Sequence, residues 1–249
     1  MKKICLYPLG TTAGCRAGAA YLARAGVETV DHPSPEVTHL LLDVPSFGAD
    51  GQLRGGGDLG RILEMLPERL TVIGGRLDHP ALGGYKTLDL LKDEGYLAEN
   101  AAITADCALR LAGPLLERTF RDTPALILGW GRIGKCLAQM LKALGSEVTV
   151  AARSARDRGL LEALGYRAAE PSQVPGLLKD IRLLYNTVPA KILDAEPAPG
   201  CICIDLASTP GLWCSGVVYA RGLPGLHAPE TVGKLIGKTL FNKFREGRT

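Results

Sequence analysis

The chain has 249 residues, 46% hydrophobic and 22% charged, with a formal net charge of +3, a composition that excludes a disordered chain. Its basic residues are scattered apart from Lys238, Lys243, Arg245 and Arg248, read as the solvated end of a helix, so a charge-driven nucleic-acid partner is not expected. No apolar run approaches the ~20 residues that span a bilayer, and Met1-Lys2-Lys3 runs straight into a strand-like Ile4-Cys5-Leu6-Tyr7, so neither a membrane span nor a signal peptide is expected and a cytoplasmic setting follows.

Apolar runs of strand length alternate with segments of helical period, which predicts an α/β fold: a Rossmann-type doubly wound parallel sheet plus a smaller N-terminal α/β domain. In the first part, strands are expected at 4–8, 39–44 and 70–73, with helices near 14–25 and 59–65. Gly55-Gly56-Gly57-Asp58-Leu59-Gly60 has the spacing G-x-G-x-x-G, but polar Asp50-Gly51-Gln52-Leu53-Arg54 precedes it where a dinucleotide turn needs an apolar strand. It reads as a flexible loop, one able to close over a ligand. The stretch after Gly95 has no proline until Pro114 and is expected to form a connecting helix, with Ala101, Ile103, Ala108, Leu109, Leu111 and Ala112 as its apolar residues. The domains expected are 1–97, 98–227 with the connecting helix leading it, and a last helix in 228–249. That helix places Val232, Leu235, Ile236, Leu240 and Phe241 on one stripe, expected to pack back on the N-terminal domain.

From Pro124 the pattern gives strand 125–128, a glycine turn, helix 132–144, strand 147–151, helix 158–164, and strands 181–185 and 201–205. The turn reads Gly129-Trp130-Gly131-Arg132-Ile133-Gly134, a G-x-G-x-x-G that follows an apolar strand and opens a helix. Gly129 permits the tight turn, Gly131 lets the backbone approach a pyrophosphate, and Gly134 lets the helix lie close to its strand. At the end of the second strand, where an NAD enzyme offers a carboxylate to the ribose, stand Arg153 and Ser154, with Arg156 and Arg158 following. A guanidinium and a hydroxyl suit a 2′-phosphate, so the cofactor expected is NADP. Asn186-Thr187-Val188-Pro189 and Asp205-Leu206-Ala207-Ser208 stand at the carboxyl ends of later strands, where open α/β sheets bind ligands. Asn186 and Thr187 are candidates for hydrogen bonds to nicotinamide or substrate, Val188 and Pro189 for the ring pocket, and Ala207 for a cofactor contact. The seven cysteines form no Cys-x-x-Cys pair and have no histidine at ligand spacing, so no metal site is expected.

Four segments in this order resemble the family of dipicolinate synthase A subunits: Glu99-Asn100-Ala101-Ala102-Ile103-Thr104; the glycine turn with Ala152-Arg153-Ser154; Asn186-Thr187-Val188-Pro189 with Asp205-Leu206-Ala207-Ser208; and Gly222-Leu223-Pro224-Gly225 followed by Ala228-Pro229-Glu230-Thr231. The resemblance covers about residues 95 to 240 and is loose before that. It implies oxidation of a hydroxy-tetrahydrodipicolinate of the lysine pathway to dipicolinate, with loss of water and hydride transfer to NADP. It also implies a flavoprotein-like B subunit, the mother cell of a spore-forming bacterium as the setting, and a small dicarboxylate as substrate; association with further copies of the chain is left open. Candidates for the substrate carboxylates are then Asn100, Thr104, Asn186, Thr187 and Arg54 from the mobile loop. Asp205 is the strand-end carboxylate nominated as catalytic proton acceptor, or equally as a residue that orients backbone groups. Of the histidines, only His227 adjoins a candidate segment. A shikimate-dehydrogenase-like NADP enzyme is an alternative, though the chain lacks the expected lysine and aspartate pair, as is a non-catalytic NADP-binding regulatory protein.

Overall fold

The computed structural model describes residues 3–247, so Met1, Lys2 and Arg248 of the terminal readings above lie outside it. The chain forms two compact units: one holds the chain up to Asn100 together with the segment from Pro224 onward, and the other is Ala101–Leu223. The first unit contains β1 (Cys5–Pro8), α1 (Ala13–Arg24), β2 (Glu28–Thr29), β3 (His39–Leu41), α2 (Leu59–Glu64), β4 (Thr71–Gly74) and β5 (Lys86–Asp89), and α3 (Glu94–Ala112) begins in it. Its strands form one parallel sheet in the order β2-β1-β3-β4-β5.

The second unit continues with β6 (Ala125–Leu128), α4 (Arg132–Ala143), β7 (Val148–Ala151), α5 (Ala155–Ala163), β8 (Arg167–Ala169), α6 (Val174–Leu177), β9 (Leu183–Asn186), β10 (Ile202–Asp205) and β11 (Val218–Tyr219). Its parallel sheet has the order β11-β10-β9-β6-β7-β8. The chain moves outward from β6 to β8, then crosses back to β9 and proceeds the other way. The strand order therefore reverses beside β6, and the carboxyl ends of β6 and β9 flank a topological switch point. The α/β class and doubly wound sheet are as the sequence predicts. Every residue of β6, β7 and β9 is buried, as strands covered on both faces require.

After α7 (Leu223–His227) comes α8 (Pro229–Arg245), which packs along α1 within the first unit. Val232, Leu235, Ile236, Leu240 and Phe244 are buried, while Phe241 is only half-buried. Glycines set the spacing of this pair. A Cβ on Gly18 would come within 2.9 Å of Ile236 Cγ2, and one on Gly233 within 2.3 Å of Ala17 Cβ and 2.9 Å of the Gly18 backbone nitrogen. Gly233→Ala is expected to force the helices apart at a cost of about 1–3 kcal/mol, the usual range for overpacking. The check is a lower urea midpoint at unchanged m value.

His39 opens β3 almost wholly buried, its ring 5.1 Å from that of Phe244. Burial, with help from the Lys86 ammonium, lowers its pKa from 6.5 to about 4. The unfolded chain therefore binds a proton at His39 that the folded chain refuses. This contribution to stability is complete above about pH 6.5 and is lost as pH falls toward 4. His39→Phe is expected to show a shallower decline of urea midpoint over that interval than the parent chain.

Candidate functional site

The glycine turn sits at the switch point, between β6 and α4. Gly129 has φ +102°, and a Cβ there would meet Thr187 Oγ1 at 2.5 Å and Val188 Cγ2 at 2.9 Å. A Cβ on Gly134 would lie 2.3 Å from the Gly129 carbonyl oxygen, so α4 rests directly on the turn. Gly131 differs, for a Cβ there would meet nothing within 4 Å. It is the N-cap of α4 and supplies no side-chain cap, whereas Ser154 caps α5 by accepting from the Asp157 N–H. The start of α4 thus combines open space, uncapped N–H groups and the positive end of the helix dipole, which suits a diphosphate. Arg132 and Ile133 supply its first turn. Trp130 is half-buried with its ring edge-on to Tyr166 at 5.8 Å, and its indole Nε1 is buried without a hydrogen-bond partner.

Beyond β7 the arginines divide. Arg158 reaches back to donate to the carbonyls of Ala152 at 3.0 Å and Arg153 at 2.8 Å, and pairs with Glu170. It holds the shape of the strand end. Arg153 and Arg156 are exposed and make no ion pair among the described residues. Two guanidinium groups without carboxylate partners therefore stand where a ribose 2′-substituent would be read.

The strand-end polar residues form a buried clasp. Asn186 is fully buried, and both N–H bonds of its amide are used, on Asp205 Oδ1 at 3.0 Å and the Val188 carbonyl at 3.1 Å, while its Oδ1 accepts from the Val188 N–H. Asp205, 1% exposed, accepts also from the Ala207 N–H at 3.0 Å, the Gly211 N–H at 2.7 Å and the Leu212 N–H at 3.1 Å. Its four lone-pair directions are all taken. A Cβ on Gly211 would lie 2.4 Å from Asn186 Nδ2, so the loop after β10 is drawn tightly against the turn after β9. Thr187 is half-buried and its hydroxyl donates to the Leu128 carbonyl, which leaves its lone pairs facing the turn. Val188 is half-buried, Pro189 exposed and Ala207 buried.

The first unit repeats the device. Asp43, 1% exposed just beyond β3, accepts from the Thr11 and Thr12 N–H groups, each at 2.9 Å, and from both hydroxyls. Arg54 is exposed in the loop that ends in the second glycine run, whose Gly55, Gly56 and Gly57 all have positive φ and follow no strand. Its backbone N–H bonds the Ser46 carbonyl at 2.9 Å, and the Ser46 N–H bonds the Gly75 carbonyl at 2.8 Å. The neighbour of Gly75 is Arg76, a residue that sequence reading passed over. It has φ +57°, the one non-glycine residue with positive φ among those described, it is exposed, and like Arg54 it makes no ion pair among them. Only a look at the backbone reveals it, since nothing in its side chain signals a left-handed conformation. Asn100 and Thr104 lie one turn apart on α3, and His227 ends α7 exposed to solvent. Among the described residues no helix is long and apolar enough to cross a membrane, and no group of side chains could hold a metal ion.

No protein-family model matches the chain. The dipicolinate synthase A subunit of Bacillus subtilis (strain 168) is 29% identical over 173 residues, which span 65% of this chain and 58% of that protein. Among solved structures, the dipicolinate synthase A subunit from Bacillus halodurans matches with a TM-score of 0.81 at 21% identity, covering 96% of this chain and 97% of its own. The A chain of dipicolinate synthase from Bacillus subtilis matches with a TM-score of 0.81 at 20% identity, covering 99% and 97%. The chain is thus similar to dipicolinate synthase A subunits in sequence over part of its length and in fold over nearly all of it. The fold is also shared, at 11% and 13% identity, by a solved 2-hydroxyacid dehydrogenase complexed with NAD and a solved NADPH-dependent glyoxylate/hydroxypyruvate reductase.

Proposed function

We propose that the chain is an NADP-dependent oxidoreductase that completes the formation of dipicolinate, in the role of a dipicolinate synthase A subunit. The observation that carries the reading is the open, uncapped glycine turn at the switch point, with unpaired Arg153 beyond the neighbouring strand. In this reading Gly129, Gly131, Gly134 and the first turn of α4 hold the diphosphate, and Arg153, Ser154 and Arg156 read the 2′-phosphate. Val188 and Pro189 shape the ring pocket. The bound cofactor supplies a hydride acceptor.

The chemistry then asks little of the protein. Loss of water from the hydroxy-tetrahydrodipicolinate gives a dihydro ring; removal of a hydride and release of a proton give the aromatic product. The substrate carries two carboxylates, for which the candidates are Arg54, Arg76 and Asn100 in the first unit and, in the second, Thr104 and Thr187. We assign Asn186 and Asp205 as positioning residues, since their polar atoms are already engaged within the clasp. The proposal is completed by a flavoprotein-like B subunit, in a sporulating mother cell where the lysine pathway supplies the precursor.

The test is a mass-spectrometric assay for dipicolinate, with enzymatically generated hydroxy-tetrahydrodipicolinate, NADP or NAD, and the B subunit present or absent. Dipicolinate that depends on this chain and forms faster with NADP is expected. Tight NADP binding with no product in any combination would overturn the substrate assignment and favour the NADP-binding regulatory reading.

A further inference from the structure

Three cysteines meet in the second unit, and nothing in the cofactor reading uses them. Cys201 and Cys203 stand on either side of Ile202 where β10 begins, and strand alternation sends both side chains to the sheet face that Leu126, Leu128 and Leu184 also occupy. The segment that returns from the carboxyl end of β10 runs back over this face: Leu212 bridges to Leu193, and two residues later Cys214 packs on the same cluster. The Cys203 thiol ends in the middle, within hydrogen-bonding reach of the thiols of both Cys201 and Cys214. Cys201 lies at the amino ends of the strands, whereas the glycine turn lies at their carboxyl ends.

The three thiols are not equivalent. Cys203 is 1% exposed, whereas Cys201 and Cys214 are half-buried. The parallel register that pairs Ile202 with Leu183 sets Arg182 beside Cys201. The Arg182 guanidinium donates to the Lys179 and Ile181 carbonyls and has no carboxylate partner among the described residues. A hydrogen bond from the Cys203 thiol, helped by the Arg182 charge, holds Cys201 below the usual thiol range. The same hydrogen bond, with burial, raises Cys203. Burial, with Cys203, Glu196 and Asp205 nearby, pushes Cys214 up to about 12. The Glu196 carboxylate is held in place by the Ser215 N–H and hydroxyl. Ionisation therefore concentrates on Cys201, and the thiolate is the nucleophilic form.

We propose that Cys201 is an oxidative modification site, a thiol that reacts with hydrogen peroxide, and that Cys203 and Cys214 carry the oxidation away from it as a disulfide. The Cys201 thiolate attacks one peroxide oxygen; the O–O bond breaks, the sulfur becomes a sulfenic acid, and hydroxide leaves and takes up a proton as water. The Cys203 thiol attacks that sulfur, and its proton departs with the sulfenic hydroxyl as a second water. Two residues of parallel strand advance by about 6.6 Å, close to the ~6.8 Å limit for the Cα atoms of a disulfide, so the link between Cys201 and Cys203 is strained and exchanges readily. Cys214 then attacks Cys203, the Cys203–Cys214 disulfide forms, and Cys201 leaves as a thiolate that takes the Cys214 proton. One peroxide and two thiols become one disulfide and two waters. The site does not depend on the dipicolinate reading.

The experiment treats the whole reduced chain with equimolar hydrogen peroxide, blocks the remaining thiols with N-ethylmaleimide, and maps the cysteines by mass spectrometry. Cleavage at Asp205 separates Cys214 from Cys201 and Cys203. The expected product is a Cys203–Cys214 link that dithiothreitol removes, with Cys5, Cys15, Cys107 and Cys136 left as thiols. Cys201→Ser should slow its formation by about tenfold or more, although both linked cysteines remain, because neither of them is appreciably ionised. The rate should rise with pH to a midpoint below the ordinary thiol value of 9.0, and Arg182→Ala should move that midpoint upward. In Cys214→Ser the oxidation should stop at a Cys201–Cys203 link that opens at lower dithiothreitol than the parent's. Oxidation spread evenly over the cysteines, a rate indifferent to Cys201→Ser, or a Cys201 sulfenic acid that persists with no disulfide would overturn the proposal.

Discussion

Asp205→Ala is expected to destabilise the second unit by about 3 kcal/mol or more, because it leaves several buried donors without an acceptor. The substitution strands the Ala207, Gly211 and Leu212 N–H groups and one N–H of Asn186 in a place that water does not reach. Each orphaned donor costs about 1–3 kcal/mol before relaxation. Asparagine is no rescue, because both carboxylate oxygens accept from two donors each, so an NH2 group on either side faces other N–H groups. Urea unfolding of the alanine and asparagine variants, with NADP affinity measured on the folded fraction, reads the effect. A wild-type urea midpoint in Asp205→Ala would defeat the positioning role. Asp205→Asn with unchanged stability and no turnover would restore the aspartate as proton acceptor.

The second large effect concerns cofactor choice. Arg153→Ala is expected to raise the Kd for NADP by about 10–100-fold, which corresponds to the roughly 1.5–3 kcal/mol of a hydrogen bond to a charged group. NAD, which lacks the 2′-phosphate, should bind almost as before. Arg158→Ala makes a useful contrast: its guanidinium is spent on the Ala152 and Arg153 carbonyls and Glu170, so it should lower stability and weaken both cofactors alike. Fluorescence titration of both nucleotides on the three proteins separates the roles. Equal losses for NADP and NAD in Arg153→Ala would mean that the 2′-phosphate is not read there.

The central strands were legible because burial on both faces leaves an unbroken apolar run, as in Ala-Leu-Ile-Leu of β6. The edge strands β2, β5, β8 and β11 were not. Glu28–Thr29 and Val218–Tyr219 are two residues each, and Lys86–Asp89 starts with two exposed residues, so none carries a hydrophobic signal against its surroundings. Helix α5 begins at Ala155, three residues before the expected 158, since Ser154 caps it, and apolar periodicity reports only where the buried face begins. The glycine turn was readable because its steric demand is written in the residue type. Asn186 and Asp205 drew notice as strand-end polar residues, but whether such groups face a ligand or each other depends on burial, which the linear order does not encode. Arg158 and Arg153 look alike in sequence and differ in the carbonyls and the Glu170 carboxylate that only Arg158 reaches.

The way the two units share the chain bears on how the protein is made. Residues 101–223 form a contiguous body, whereas the first unit needs α8 to cover α1. On the ribosome, the opening hundred residues emerge first yet wait for the last helix to be translated, while the later body acquires all of its strands beforehand. The doubly wound unit is therefore the one able to mature during synthesis, and the earlier segment completes only after it. A stalled or prematurely released product lacking α8 would leave the apolar side of α1 bare, and cellular quality control would meet a half-finished protein that already carries a finished doubly wound unit.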